Sequence, residues 1–277
     1  MTEYVRPRSI EEAVAVRAAH PEYMVLAGAT DLMVDAKHKR VPPGILDLWR
    51  VPGLYGIRDT DHGIAIGAGA TWLEVQRNPK LAQHWTPLVA AAREIGALQI
   101  QARATLGGNV GTSSPVGDSL PALLALDAEL ELASVRGTRR VPYREFCIGY
   151  RKTALAADEL IVAAHLPRPS GHAKLAWRKV GTRRAQSISK VMGAAAIELH
   201  DGVVVTARIA LGAVADRPIR VTAVEAAVRG CSPRDAGDAA RAALRTAIAP
   251  IDDIRSTSAY RRQVAENLVA RFFSDLT

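Results

Sequence analysis

Ala104-Thr105-Leu106-Gly107-Gly108-Asn109-Val110-Gly111-Thr112-Ser113-Ser114-Pro115 opens the stretch whose reading decides the fold, and it runs on to Leu132 as VGDSLPALLALDAELEL. The first part, Thr105 to Ser114, reads as a polar, glycine-rich loop. Paired glycines let backbone approach a flat or anionic ligand without interference from a Cβ. Thr105, Asn109, Thr112, Ser113 and Ser114 add neutral hydrogen-bonding groups. The second part reads as a helical turn from Pro121 to Leu126 and a strand from Glu129 to Ser134. Asp118 stands between the two parts. Its carboxylate fits two roles, capping the helix that follows or accepting a hydrogen bond from a ribose or ribityl hydroxyl, and the residues alone favour capping.

A second glycine loop lies upstream. Tyr23 to Leu26 is a short apolar strand that runs into Ala27-Gly28-Ala29-Thr30-Asp31, and a helix is expected from Asp31. Backbone N–H groups and a helix N-terminus at such a place can cradle a pyrophosphate. The loop lacks both the G-x-G-x-x-G spacing of the dinucleotide fingerprint and the Lys of a P-loop. A third unit of the same kind is Gly63 to Gly67, a strand that flows through Ala68-Gly69-Ala70 into a helix from Thr71. Near the start, Ser9 precedes an Ala/Val-rich helix that ends at His20-Pro21, with Glu12 at the spacing of a capping box. Farther on, Pro167 to His172 is the best linker in the chain. Strands at Ala173–Lys179, Gly193–His200 and Val203–Ala213 follow it, then Ala-rich helices near Ala223–Arg229 and Ala236–Ala247. Strands followed by helices predict an α+β carboxy-terminal domain.

Composition narrows the chemistry. A chain of 277 residues has room for two or three domains. Cys147 and Cys231 have no partner at ligand spacing, so the chain by itself holds neither an iron–sulfur cluster nor a structural zinc site, and both read as reduced thiols. The net charge of +8 comes from arginines scattered along the chain, without the interleaved aromatics of a single-strand binder, so no nucleic-acid partner is expected. No apolar run reaches membrane-spanning length, and Met1 to Ile10 lacks the apolar core of a signal peptide, which predicts a cytoplasmic protein. His20, His38, His62, His84, His165, His172 and His200 form no ligand pattern, and each reads as solvated or capping. No Ser–His–Asp, paired-carboxylate or metal constellation stands out, so no catalytic side chain is expected. A polar loop poor in charge suits a cofactor that brings its own reactivity.

Four blocks occur in order: YMVLAGATDLMV (23–34), GAGATWLEV (67–75), the Ala104–Leu132 stretch, and FCIGYRKTALAADELI (146–161). Together they resemble the FAD-binding (medium) subunit of the molybdenum hydroxylases, the family of xanthine, carbon monoxide and nicotine dehydrogenases. The resemblance covers nearly the whole chain. It implies a vanillyl-alcohol-oxidase-type (PCMH-type) FAD-binding fold of two α+β subdomains plus a carboxy-terminal α+β domain closing over the flavin, with boundaries at 1–55, 56–168 and 169–277.

By position, the resemblance places Val25, Leu26, Ala27, Gly28, Ala29, Thr30, Asp31 and Leu32 along the pyrophosphate. Thr105, Leu106, Gly107, Gly108 and Asn109, with Thr112 and Ser114, would form the second phosphate and ribityl loop. Asp118 moves from cap to hydroxyl ligand on the adenosine side, and Ile95, Ile161 and Lys179 match further contacts. Lys179 would stabilise negative charge on the reduced ring. Some sister flavoproteins attach FAD through a histidine in the first loop. This chain has none between His20 and His38, which predicts non-covalent FAD.

The resemblance further implies an electron relay inside an oxidoreductase complex. Partner chains would be an iron–sulfur small subunit with [2Fe-2S] clusters and a large subunit with molybdopterin, in a heterohexamer built as a dimer of heterotrimers. The acceptor is open among NAD, oxygen, quinone and a carrier protein, because Arg183-Arg184 is followed by Ala185-Gln186-Ser187 where eukaryotic xanthine dehydrogenases carry an acidic pair. Arg151 and Lys152 fit either dinucleotide phosphates or carboxylates of a neighbouring subunit, and Tyr150 fits a shield over the flavin. Two rival readings are a stand-alone flavin-dependent reductase of the same fold and a non-catalytic nucleotide-binding module.

Overall fold

The strand–turn–helix unit around Thr71 shows how local sequence sets the architecture. Thr71 caps the helix after it by accepting from the Glu74 N–H, while Glu74 Oε2 accepts from the Thr71 N–H at 2.7 Å, a complete capping box. Ser9 makes only half of one. It accepts from the Glu12 N–H, but the Glu12 carboxylate accepts from the N–H of Arg8 instead. The computed structural model describes residues 2–35, 41–183 and 186–276. His38, Arg184 and Ala185, discussed above, lie outside them.

In chain order the first part holds β1 (Glu3–Val5), α1 (Ile10–Ala19), β2 (Met24–Leu26), α2 (Leu32–Asp35) and β3 (Gly44–Asp47). Its three strands form a parallel sheet in the order β1-β3-β2. The second part begins with β4 (Ile57–Thr60), β5 (Gly63–Gly67), α3 (Trp72–Arg77), α4 (Pro79–His84), α5 (Thr86–Glu94), α6 (Leu98–Gln101), α7 (Leu106–Thr112) and α8 (Leu120–Ala125). It continues with β6 (Glu129–Ser134), β7 (Gly137–Pro142), α9 (Tyr143–Phe146), β8 (Cys147–Gly149), β9 (Lys152–Thr153) and β10 (Leu160–Pro167). Five of these strands form an antiparallel sheet in the order β4-β5-β10-β6-β7. The third part holds β11 (Lys174–Val180), β12 (Val191–His200), β13 (Val203–Gly212), β14 (Ile219–Arg220), α10 (Thr222–Val228), α11 (Pro233–Ala247) and α12 (Ser258–Ser274). Its strands form an antiparallel sheet in numerical order.

Strand β10 ties the first two parts together because both of its faces are covered. Leu160 and Val162 pack with Val14 and Leu46 of the small sheet layer, while Ile161, Ala164 and Leu166 pack with Trp72, Leu106 and Val110. A strand buried on both sides reads as a continuous apolar run. In the third part, one face of the sheet packs on α10–α12 through Val191, Ile209, Leu244, Val269 and Phe273. Ala194 and Ala210 turn the other way, into the core of the second part.

Three sequence readings are corrected here. The Thr105–Ser114 stretch is not a loop but the helix α7, whose N-cap Thr105 accepts from the Gly108 N–H. Leu106 and Val110, four apart and fully buried, hold that helix to the core despite its three glycines. A third carboxy-terminal helix, α12, follows the two expected ones. His165 is neither solvated nor a cap. Its Nε2 lies 2.6 Å from Glu131 Oε2, and its side chain is 13 % exposed. Among the described residues no helix is long and apolar enough to cross a membrane.

Candidate functional site

The two glycine segments face each other because the first sheet continues toward α7. Leu48 N–H donates to Leu26 O at 2.7 Å, which carries β2 into the Ala27–Asp31 turn. There Gly28 lies so close to the chain before α7 that a Cβ would fall 1.9 Å from the Arg103 carbonyl oxygen. On the far side, Thr112 Oγ1 donates to Asp31 Oδ2 at 3.2 Å, so α7 and the first loop are bonded across a cleft.

The first loop offers donors. Among the described residues, no group accepts a hydrogen bond from the N–H of Gly28, Ala29, Thr30 or Asp31. Ala29 holds φ +64°, a left-handed conformation that a residue with a Cβ rarely adopts. Consecutive free N–H groups at a helix start form a concave anion site.

Helix α7 offers a surface rather than donors. Its first amides are already bonded: Leu106 to Ala70 O, Gly107 to Ala68 O, and Gly108 to Thr105 Oγ1. Gly107 is glycine for packing, since a Cβ there would meet Ala68 Cβ at 2.7 Å. Gly108 and Gly111 are exposed, and a Cβ at Gly111 would meet only Ile161 Cδ1, at 3.7 Å. With Thr112 they make a Cβ-poor face opposite the free amides. That combination suits a large, flat ligand with an anionic middle. Asn109 Oδ1 accepts from Ser119 Oγ at 2.6 Å. The left-handed Ser113 that ends α7 is held by Cys147, 3.1 Å from its Oγ. Burial, with Cys147 beside it, pushes the neighbouring Tyr143 phenol well above its usual value.

Asp118 does not cap α8. Ser119 occupies the N-cap, with no side-chain cap bond. The Asp118 carboxylate instead accepts from Lys179 Nζ at 2.7 Å and Ser189 Oγ at 2.5 Å, and its carbonyl accepts from Trp177 Nε1. Burial raises the Asp118 carboxyl above its ordinary value, against the opposing pull of Lys179 and Ser189. Lys179 is 2 % exposed and also donates to Glu94 O, which sets Ile95 beside it. Lys179 and Glu94 together line a cavity of about 540 Å³ with Trp177, Val264 and Leu268, and no residue of the glycine segments lines it.

Most of the expected site residues therefore fall into two groups. Ala27–Leu32, Gly108, Thr112 and Ile161 border the glycine cleft, while Ile95, Asp118 and Lys179 meet at the junction with the third part. Val25 and Leu26 lie in β2, and the Leu106 side chain is core. Ser114 shapes the turn after α7, its Oγ accepting from Val116 N–H. Arg151 and Lys152 are exposed at the β8–β9 turn and form no ion pair with a described residue; Tyr150 is 63 % exposed there. Two residues without an assigned role in the sequence reading belong to the cleft: Gly111, by its open face, and Arg103, by its contact with Gly28.

Residues 1–169 match the family model for the FAD binding domain in molybdopterin dehydrogenase, and residues 176–276 that for the CO dehydrogenase flavoprotein C-terminal domain. The chain is 28% identical to the nicotinate dehydrogenase FAD-subunit of Eubacterium barkeri, over 99% of this chain and 95% of that one. It is 30% identical to the xanthine dehydrogenase FAD-binding subunit of Escherichia coli O157:H7, over 98% and 94%. Among solved structures, carbon monoxide dehydrogenase from Hydrogenophaga pseudoflava matches with a TM-score of 0.93 at 28% identity, over 98% of this chain and 95% of that chain.

Proposed function

The chain belongs to the family of FAD-binding subunits of molybdopterin dehydrogenases, and from that premise we propose that it takes electrons from an iron–sulfur partner and passes them to an external acceptor. It is an oxidoreductase subunit with a PCMH-type FAD-binding domain followed by a CO dehydrogenase-type carboxy-terminal domain. The observation that carries the proposal is the cleft itself: free amides at Gly28 to Asp31 opposite the open Gly108–Gly111 face of α7.

In this reading the amides of the first loop hold the diphosphate, and the glycine face of α7 admits the chain that links it to the ring. Asp118 and Lys179, 2.7 Å apart, hold one and the same end of the cofactor, nearer the third part, with Ile95 beside them. The adenosine side for Asp118 and the reduced ring for Lys179 therefore do not both fit. Ile161 is the apolar neighbour of the glycine face instead. The cofactor is held without a covalent bond. When bound, the flavin would supply the exchange between single electrons and electron pairs that no side chain here provides. The chain's own residues bind, orient and shield. The partners are a small iron–sulfur subunit and a large molybdopterin subunit, in a dimer of heterotrimers. The relatives' names, FAD-subunit and FAD-binding subunit, support only that such chains are one subunit of a larger enzyme. The kinds of partner and the stoichiometry follow from the family resemblance. NAD, oxygen, a quinone or a carrier protein each fit as acceptor. The three larger sheets, one in each part, support the division at 1–55, 56–168 and 169–277, the two-stranded β8-β9 sheet lying inside the second part.

The purified chain is expected to be yellow, with flavin absorbance and one FAD per chain released by denaturation. The native complex is expected to contain molybdenum and iron by metal analysis after size-exclusion chromatography. A chain that takes up no FAD sinks the proposal.

A further inference from the structure

The glycine cleft supplies amide dipoles but little full positive charge. Residues 25–32 contain no Lys or Arg, and Asp31 adds a negative charge. Across residues 103–114 the only cation is Arg103. Its carbonyl oxygen is the atom that forbids a Cβ at Gly28, so its backbone touches the very loop whose amides are free. Its guanidinium is exposed, seated over the Trp49 ring at 3.8 Å from the centroid, and it forms no ion pair with a described residue.

Trp49 is itself placed. Its N–H donates to Asp47 Oδ1 at 2.8 Å, and its carbonyl accepts from Arg6 Nη2 at 3.1 Å. The preceding residue, Leu48, is the one bonded to Leu26 O, so Trp49 stands beside the start of the glycine turn. An aromatic face orients a guanidinium while leaving the N–H donors at its rim free. An exposed cation held this way beside free amides is arranged for an anion.

We infer that Arg103, held by Trp49, is the fixed counter-charge for the diphosphate of the cofactor, an assignment that rests on reading the cleft as an FAD site. Charge-assisted hydrogen bonds are stronger and shorter than neutral ones, and Arg presents a planar fork to phosphate oxygens. Arg103 thus adds charge where the loop offers only dipoles.

The test is titration of the flavin-free full chain with FAD at low and high salt, read by quenching of flavin fluorescence. Arg103→Ala is expected to weaken FAD binding about ten- to a hundredfold. It should also flatten the salt dependence of the dissociation constant, because the screened charge pair is gone. Arg103→Lys, which keeps the charge and loses the fork, is expected to fall between. Arg50→Ala, next to Trp49, serves as a control for general surface charge and should bind as the wild type does. If Arg103→Ala binds FAD within twofold of wild type, with the same salt dependence, the assignment to Arg103 is overturned while the FAD site stands. A lowered melting temperature with unchanged affinity also overturns it, by making Arg103 a folding residue. If the wild-type chain binds no FAD, the site reading beneath it fails instead.

Discussion

Gly107 and Gly111 lie four residues apart on one helix and are glycine for opposite reasons. A Cβ on Gly107 would press into Ala68 at 2.7 Å, whereas on Gly111 it would enter ordinary contact with Ile161 at 3.7 Å. Gly107→Ala should therefore destabilise the chain by about 1–3 kcal/mol, the usual cost of overpacking. Gly111→Ala should do the reverse to the flavin-free chain, adding about 0.5–1 kcal/mol, because alanine is the better helix former. It should nonetheless weaken FAD binding by filling the face that the ligand approaches. Urea unfolding of both variants without FAD, followed by FAD titration, checks the pair. A Gly111→Ala chain that gains stability and binds FAD normally would remove α7 from the site. Asp118 is a second residue whose surroundings decide its role. With Lys179 and Ser189 on its carboxylate, it already has the partners that capping would have had to replace.

At the scale of elements, the ion pair between Glu159 and Arg139 closes the segment before β10 onto β7. Glu159 accepts from Arg139 Nε at 2.6 Å and Nη2 at 2.8 Å, and from the Ala156 N–H at 2.8 Å. Arg139 holds the Glu159 carboxyl below its ordinary value of 4.5. The folded state then binds fewer protons than the unfolded one, so this stabilisation is present above pH 4.5 and lost as pH falls through the folded value. Arg139 is 46 % exposed, so water screens the pair. Glu159→Gln should cost about 1 kcal/mol at neutral pH, with the gap to wild type closing below pH 4.5. Unfolding curves from pH 7 to 3.5 test it, and a gap that persists in acid would point to packing instead. Elements such as these differ in how far they can be read from sequence. The Thr71–Glu74 box marks a helix start, and β11 to β13 carry clear apolar patterns. α7 is hidden because Gly107, Gly108 and Gly111 have low helix propensity, and only burial of Leu106 and Val110 overrides it. The place of β10 between β5 and β6 is set by long-range pairing, which local patterns do not encode. Both glycine segments of the site are legible, but their facing is not. The approach of Asp118 to Lys179 depends on the third part docking 61 residues later in the chain.

For the whole molecule, that docking converges on α8, whose residues Leu120 to Ala125 are all buried between the second and third parts. The third part holds both of its ends. At the start, Ser189 and Lys179 bind Asp118. At the finish, Arg208 Nε donates to Ala125 O at 3.1 Å, and Arg220 Nη1 donates to Leu124 O at 3.2 Å and to Asp127 Oδ1 at 2.6 Å. Cations at the carbonyl end and a carboxylate at the amide end also match the helix dipole. Arg220 further pairs with Glu225 through two bonds, at 2.6 and 2.9 Å, with both side chains about 15 % exposed. Breaking a buried pair leaves its partner charged without compensation, at about 3–5 kcal/mol, and the half-exposed Asp127 moderates this. Arg220→Met should then destabilise by about 2–4 kcal/mol and lower the melting temperature by about 5–15 °C. Ser189→Ala should cost about 1 kcal/mol by removing one hydrogen bond. If the two ends of α8 clamp one interface, releasing either lets the third part shift and weakens what the other holds. The double variant should then lose less than the sum of the single losses, by more than about 0.5 kcal/mol, which is the usual limit of additivity for independent sites. Equilibrium unfolding of the four chains decides it. Strict additivity would mean that the two ends act separately and that α8 does not transmit strain between the Arg220 cluster and Asp118 at the edge of the cofactor site.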